Sequence, residues 1–221
     1  MDYEVIIIGA GPAGIFTALT LADSGISPVL LLEQGKDLDQ RRRLDSGEIL
    51  CGWGGAGAFS DGKLTLSPEV GGSLGDIVDK QSLSDLLGIA DEIWLAHGAP
   101  REVFGEMSQK LEDLTDRARL ADLELVPVRI RHIGTENCRE VLSGLRRSLE
   151  KRIEVRCGCG VESILVEGGK LRGVKLVDGR DIESRFVVAG PGRSGATWMK
   201  KQAEELGIRS QASPVDIGVR V

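Results

Sequence analysis

Short apolar runs, glycine-rich turns and amphipathic stretches alternate along this chain. Val5–Ile8 is fully apolar and β-branched, and a second apolar run covers about residues 28–32 and ends on Glu33. Such runs are typical of strands that are buried on both faces of a parallel sheet. A segment of helical character, ending at about Ser24, separates the two runs. The opening of the chain therefore predicts a strand–helix–strand unit.

Three glycines at GxGxxG spacing, Gly9, Gly11 and Gly14, lie between the first strand and the helix. The first allows a tight turn, the second lets the backbone approach a pyrophosphate, and the third permits close packing of the helix on the strand. Glu33 lies 19 residues after Gly14, where an acid accepts hydrogen bonds from a ribose hydroxyl and repels a 2′-phosphate. The pattern predicts a dinucleotide site that disfavours NADP. The alternative is a glycine-rich turn that binds nothing.

A glycine-rich loop over residues 50–64 forms a second informative stretch. Four of its glycines, at positions 52, 54, 55 and 57, give a backbone that can present several N–H groups to an anion. Ser60, Asp61 and Lys63 add polar side chains to the same loop. Cysteine, tryptophan, phenylalanine and leucine also occur there, which argues against the alternative of a flexible linker. We therefore expect this loop to face the ligand.

The next part of the chain is predicted to be helical. A polar connection over residues 67–81 precedes Ser82, which is expected to begin a helix with Asp85 as its capping acid. His97 ends that helix, so it is interpreted as a cation near a helix C-terminus and not as a catalytic base.

Two further helices and an extended segment are expected before residue 150. One amphipathic helix is predicted over residues 102–120, and the extended segment over residues 125–133. The next helix is expected to be capped by Asn137 or Thr135. Its buried side chains are predicted to be Val141, Leu142, Leu145 and Leu149.

From residue 153 onward the pattern changes to short strands separated by glycine-containing turns, which is the signal of a β-meander. The predicted strands are Ile153–Arg156, Val161–Glu167, Leu171–Leu176 and Asp181–Ala189. Within the last of them, Phe186–Ala189 is expected to be buried on both faces. It runs into a glycine turn over residues 190–195 and then a helix over about residues 196–206. This repeats the opening architecture and predicts a second backbone approach to the same ligand.

Composition excludes several classes of function. The net charge is −6, and no apolar run approaches the roughly 18 residues of a membrane span, so nucleic acid and membrane are not expected as partners. The acidic start MDYE is not a signal peptide, which favours a cytoplasmic protein. The four cysteines form no secreted disulfide framework, and with His97 and His132 they complete no zinc set, so no metal is predicted. Neither histidine has a visible partner, and the sequence therefore identifies no catalytic residue.

The chain resembles the two-dinucleotide-binding-domain flavoproteins, whose FAD-binding fold is that of glutathione reductase. The resemblance depends on the first glycine turn, Glu33, the meander and the turn after Ala189. More closely, GWGGAGAFSDGKL at 52–64, RHIGT at 131–135 and DIGVRV at 216–221 are similar to a group of bacterial and archaeal FAD-dependent dehydrogenases. The implied fold is α/β: a Rossmann-like FAD/NAD(P)-binding domain with a parallel sheet, helices on both faces and a β-meander.

The resemblance also implies FAD as the cofactor and a set of residues that hold it. The implied set is Gly9, Gly11, Pro12, Ala13 and Gly14 at the pyrophosphate, Glu33 and Gln34 at the adenosine ribose, Arg41 near the phosphates, Val161 at adenine, and Gly190 and Gly192 near the pyrophosphate. Gly54, Gly55, Ala56, Gly57, Ser60 and Lys63 are implied to lie toward the ribityl chain and the flavin. A small-molecule substrate is implied as well, with NAD(P)H as a candidate electron donor.

The implied domain organisation is an FAD-binding domain over residues 1–213 with a helical insertion at about 67–125. Residues 214–221 are interpreted as the start of a truncated substrate domain, so the chain is expected to be an N-terminal fragment. Two alternatives stay open: an NAD-dependent dehydrogenase on a plain Rossmann domain, and a flavin- or nucleotide-binding module without catalytic activity. The meander and the second glycine turn count against the first, and the missing substrate domain favours the second.

Overall fold

The computed structural model describes residues 1–41 and 49–211. Its strands are β1 (Tyr3–Ile8), β2 (Val29–Glu33), β3 (Lys63–Thr65), β4 (Ile130–His132), β5 (Glu154–Cys157), β6 (Val161–Glu167), β7 (Lys170–Leu176) and β8 (Asp181–Ala189). Its α-helices are α1 (Pro12–Asp23), α2 (Lys80–Ala96), α3 (Gln109–Leu120), α4 (Thr135–Leu149) and α5 (Ala196–Glu205). The segment 214–221 lies outside the described residues, so the prediction made for it stays a prediction.

The main sheet has six strands in the order β5-β2-β1-β8-β7-β6. The first four pair in parallel, and β6, β7 and the start of β8 pair antiparallel as a meander. This confirms the predicted α/β class and the mostly parallel sheet. The strand at 153–156 was expected in the meander, and that expectation is wrong, because β5 pairs in parallel with β2 at the opposite edge of the sheet.

Register brings the ends of three strands to one line. Ile8 of β1 is level with Leu32 of β2 and with Ala189 of β8. The residues that follow are therefore neighbours at one edge of the sheet, although they are far apart in sequence. Gly9 N donates to Leu32 O at 2.7 Å, and Gly190 N donates to Ile8 O at 2.8 Å. The carboxyl edge of a parallel sheet is where ligands of this fold class bind.

The core lies on both faces of the parallel strands. Alternate residues of β1 and β2 pack on one face against α1 and α4, and the others pack against the meander and Trp198 of α5. Ile6 and Ile7, on opposite faces, are both fully buried, and each contributes about 1.5–3 kcal/mol of apolar burial. The predicted burial of Val141, Leu142, Leu145 and Leu149 in α4 is confirmed.

Several predicted helix starts are wrong, and in each case a different cap explains the difference. Helix α2 begins at Lys80, because the side chain of Asp79 accepts from Ser82 N at 2.9 Å. Helix α3 begins at Gln109, where Ser108 caps Leu111 N. Helix α4 has Gly134 at its N-cap without any side-chain cap, so neither Thr135 nor Asn137 fills that role.

Phe186 and Val188 were expected to be fully buried, and this too is wrong. They are 50% and 38% exposed, whereas Val187 packs into the core on the other face of β8. In the region predicted as extended, residues 125–133, only Ile130–His132 forms a strand, which pairs antiparallel with β3. Among the described residues, no helix is both long enough and apolar enough to cross a membrane.

Candidate functional site

The three glycines of the turn after β1 differ in what a side chain would meet at their positions. Gly9 has φ +100°, and a Cβ there would overlap Gly190 O. A Cβ on Gly14 would overlap Gly9 O, so the helix packs directly on the turn. A Cβ on Gly11 would meet no protein atom within 4 Å. Gly9 and Gly14 are thus required by the packing of the protein itself, whereas Gly11 leaves open space in front of the helix.

Helix α1 begins with its N–H groups available to a ligand. Gly11 is the N-cap residue and gives no side-chain cap, and Pro12 occupies the first helical position, where its missing N–H costs nothing. No acidic side chain lies in the first turn. Free N–H groups and the helix dipole make such an end a binding site for phosphate groups.

The carboxylate of Glu33 connects three segments of the site. One oxygen, Oε2, accepts from Ala10 N at 2.7 Å. The other, Oε1, accepts from Gly35 N and from Gly52 N, both at 2.8 Å. Glu33 is 5% exposed. It therefore holds the first glycine turn, the end of β2 and the glycine-rich loop together, a structural role that the sequence did not indicate.

Arg41 holds the glycine-rich loop by hydrogen bonds to its backbone carbonyls. The side chain is buried, and it donates to Trp53 O at 2.6 Å and to Gly55 O at 2.9 Å. Its guanidinium also lies over the Phe59 ring, 4.8 Å from the centroid. The indole N–H of Trp53, which is fully buried, donates to Leu142 O at 3.0 Å. These contacts fix the backbone of the loop against α4.

A cavity of about 390 Å³ opens in front of these turns. Its lining includes eleven of the predicted site residues: Gly9, Gly11, Pro12, Glu33, Gln34, Gly55, Ala56, Gly57, Val161, Gly190 and Gly192. Three glycine-rich segments from distant parts of the sequence therefore face one volume. We call this the first cavity.

A second cavity, of about 190 Å³, adjoins the first at Pro12 and Gly57, which line both. Three more of the predicted residues, Gly54, Ser60 and Lys63, line it. Most of the other lining is apolar and comes from α1, Trp94 and α4. The two cavities therefore share a wall at the N-terminus of α1.

Three predicted site residues do not reach either cavity. Ala13 and Gly14 are absent from the described lining, and Gly14 packs on the turn behind it. Arg41 is absent as well, because its guanidinium is engaged by the carbonyls of the loop. Its contacts are those of a residue that positions the loop.

The structure also adds lining residues that the sequence did not single out. In the first cavity they include Leu32, Cys51, Cys159, Arg193, Ser194 and Trp198. Ser194 lies within the second glycine turn, and its Oγ accepts from Gln34 Nε2 at a long 3.4 Å. Position in the turn that follows a strand was the signal that would have identified Arg193 and Ser194.

The titratable groups near the cavities are mostly engaged. Lys63 Nζ pairs with Asp61 at 2.8 Å and lowers the pKa of that exposed carboxyl. Burial raises the pKa of the Cys138 thiol in the second cavity. His97 Nδ1 lies 2.7 Å from Ile93 O within its own helix. Within residues 1–41 and 49–211, no group of three or more histidine, cysteine or acidic side chains is arranged to hold a metal ion.

Comparison with known proteins agrees with this geometry. Residues 4–216 match the family described as "FAD dependent oxidoreductase". An uncharacterized protein of Clostridium beijerinckii is 31% identical over 229 residues, which cover 98% of this chain and 36% of that protein. This chain thus spans about a third of the length of the curated relatives it matches.

Two solved structures show the same fold. L-proline dehydrogenase from P. horikoshii superposes with a TM-score of 0.54 at 15% identity, covering 95% of this chain and 57% of that chain. L-amino acid deaminase from Proteus vulgaris gives a TM-score of 0.54 at 12% identity, covering 93% and 50% respectively.

Proposed function

The chain belongs to the FAD-dependent oxidoreductase family, and from this premise we propose that its two adjoining cavities hold FAD for an oxidoreductase reaction. One observation carries the proposal. The ends of β1, β2 and β8 meet at the N-terminus of α1, which has no side-chain cap. A cavity opens in front of this helix end, and Gly11, which lines it, has no Cβ to fill part of that volume.

The pyrophosphate fits the first cavity at Gly11 and Pro12. There Gly11 offers its backbone N–H and the helix N-terminus a partial positive charge, and the glycines at 55, 57, 190 and 192 add backbone without side chains. An extra methyl group on Gly11 would occupy the volume that this ligand requires. The same position is free of steric conflict within the protein, as expected for a glycine kept open for a ligand.

The adenosine ribose fits beside Glu33. A carboxylate has about four sites that accept hydrogen bonds, and three are filled by the backbone N–H groups of residues 10, 35 and 52. One site on Oε2 is left, which suffices for a ribose hydroxyl. A second negative charge there, as on a 2′-phosphate, would be repelled. Gln34 and Val161 extend the same wall toward adenine.

The second cavity fits the ribityl chain and the flavin ring. Its apolar lining suits a flat aromatic ring, and the Lys63 ammonium stands at its rim beside Asp61. Bound FAD would supply hydride transfer at its ring, and the protein's part is to bind it, orient it and exclude water.

The substrate class and the location belong to the same proposal. We expect a small-molecule substrate, a class that also includes the compounds named for the proline dehydrogenase and the amino acid deaminase of the same fold. NAD(P)H is a candidate electron donor. A cytoplasmic location is part of the proposal as well, because no disulfide joins the cysteines within the described residues.

Titration of the purified protein with FAD tests the proposal. Flavin absorbance that survives desalting, at about one FAD for each chain, is the expected result. A parallel titration with NAD distinguishes this function from the alternative of a plain NAD-dependent dehydrogenase, which would bind NAD and not FAD. Bound FAD without reduction by NAD(P)H or turnover of any acceptor would favour the non-catalytic binding module. A folded protein that binds neither dinucleotide would refute the proposed function.

A further inference from the structure

Trp198 stands in the first cavity and has no role in the account so far. It is the third residue of α5, and among the described residues that line this cavity it is the sole aromatic one. Its side chain is partly buried and packs against the buried cluster on this face of the sheet, and it lines the cavity together with Cys159 and Val161. A large aromatic side chain at the wall of a ligand cavity is a frequent anchor for a flat ligand.

The orientation of the indole is fixed from two sides. Its Nε1–H donates to Glu162 O at 2.8 Å, and its side chain packs against the apolar cluster formed by β1, β2, β7 and β8. The neighbouring strand residue Val161 lines the cavity too. Because a hydrogen bond and apolar contacts already hold the ring, the Trp198 side chain loses little conformational entropy when a ligand stacks on it.

The location of the ring identifies the part of the ligand that it meets. The pyrophosphate end of the cavity is at Gly11 and Pro12, and the ribose lies beside Glu33 in the proposed arrangement. Cys159 N donates to Glu33 O at 2.8 Å, so the start of the meander lies just beyond the end of β2. The Trp198 indole N–H donates to Glu162 O, in that same segment. The ring therefore stands at the base end of the cavity, past the ribose.

We propose that Trp198 contacts the base of the bound dinucleotide and makes the site select adenine over smaller bases. This inference depends on the proposed FAD site. Base–aromatic stacking increases with the area of the base, and a purine covers more of an indole than a pyrimidine does. The neighbouring lining, Leu32, Cys159 and Val161, is aliphatic or small and would not discriminate in this way.

Binding of ADP and UDP to the wild-type protein and to Trp198→Leu tests the proposal, because these probes share the ribose and the pyrophosphate and differ only in the base. We expect wild type to bind ADP about ten-fold more tightly than UDP, and the variant to lose most of that ratio with little change in UDP affinity. FAD affinity should fall by about the same ten-fold. Met199→Ala, at the next position of α5 and outside the described cavity lining, should leave both quantities unchanged.

Trp198→Phe provides a second test, since it retains an aromatic ring and is more conservative for folding. We expect FAD affinity within about three-fold of wild type in this variant. Equal loss of ADP and UDP in Trp198→Leu would show a merely structural role and overturn the inference, as would unchanged FAD affinity in that variant. Failure of wild type to bind any dinucleotide would instead overturn the proposed function, so the two failures are distinguishable.

Discussion

Replacement of Glu33 tests the most connected group in the site. Its carboxylate accepts three backbone hydrogen bonds, at 2.7, 2.8 and 2.8 Å, from segments that are otherwise separate. Glutamine has the same shape but only one accepting oxygen, and its NH2 group would face at least one backbone N–H. We therefore expect Glu33→Gln to destabilise the fold before any ligand is added.

The magnitude follows from the hydrogen-bond inventory. A hydrogen bond to a charged group contributes about 1.5–3 kcal/mol net, and a buried donor left unsatisfied costs about 1–3 kcal/mol. Glutamine retains the bonds to one oxygen and loses those to the other. Because Glu33 also lines the first cavity, water can hydrogen-bond some of the backbone N–H groups that lose their partner, which reduces the cost. We expect the free energy of unfolding to fall by about 2 kcal/mol in Glu33→Gln and by about 3 kcal/mol in Glu33→Ala.

Urea unfolding followed by circular dichroism, in the absence of FAD, measures this loss. Gln34→Ala is the matched control, because Gln34 lines the same cavity but, among the described residues, its side chain makes only the long hydrogen bond with Ser194. The control should change stability by less than about 0.5 kcal/mol. FAD affinity of Glu33→Ala should also fall, by roughly 1.5–3 kcal/mol, through loss of the ribose contact. If both Glu33 variants unfold at the wild-type urea concentration, the structural role is refuted.

Three further predictions concern other parts of the fold. Gly14→Ala should prevent stable folding, because its Cβ would overlap Gly9 O, and a cooperative wild-type melt would contradict this. Asp91→Asn should lower the free energy of unfolding by about 2–4 kcal/mol, since it breaks the bidentate pair with the buried Arg131, whose contacts are 2.6 and 2.7 Å; an unchanged melting temperature would argue against that contribution. Burial raises the pKa of Cys157 to about 12, above the 8.5 of an unfolded thiol, so the native state retains this proton as the pH rises between those values and stability should decline there. In native protein at pH 8.5, Cys157 should resist iodoacetamide, as read by mass spectrometry, and its prompt alkylation would refute the burial argument.

Local signals predicted much of this fold because they act over a few residues. Strand β1 ends at the expected residue and begins two residues earlier, β2 lies within one residue of its expected bounds, and β6 and β8 match theirs. The glycine turn after β1 depends on neighbouring backbone atoms, which the spacing of the glycines already encodes. Its place between a strand and a helix was therefore readable before any tertiary contact was known.

Non-local contacts account for what the sequence could not predict. The strand β5 has the length and composition of a meander strand, and only its pairing with β2 places it in the parallel layer. Asp79 competes with Ser82 as a cap, and local spacing does not decide between them. Arg41 follows a nucleotide-binding unit, but the carbonyls that bind it come from a loop more than ten residues later. Trp198 enters the cavity through its packing on the meander, which no motif encodes.

FAD binding by Gly11→Val tests the central claim most directly. The residue has φ −78° and ψ −176°, an extended conformation that valine adopts readily, and its Cβ would meet no protein atom within 4 Å. Gly88→Val, in α2, is the matched control because its Cβ also meets nothing and it lies outside both cavities. We predict that the first variant melts like wild type yet binds FAD at least about 100-fold more weakly, from the loss of about two charge-assisted hydrogen bonds to phosphate. The Gly88 variant should bind FAD like wild type. Wild-type FAD affinity in Gly11→Val would contradict the assignment of this turn to the pyrophosphate.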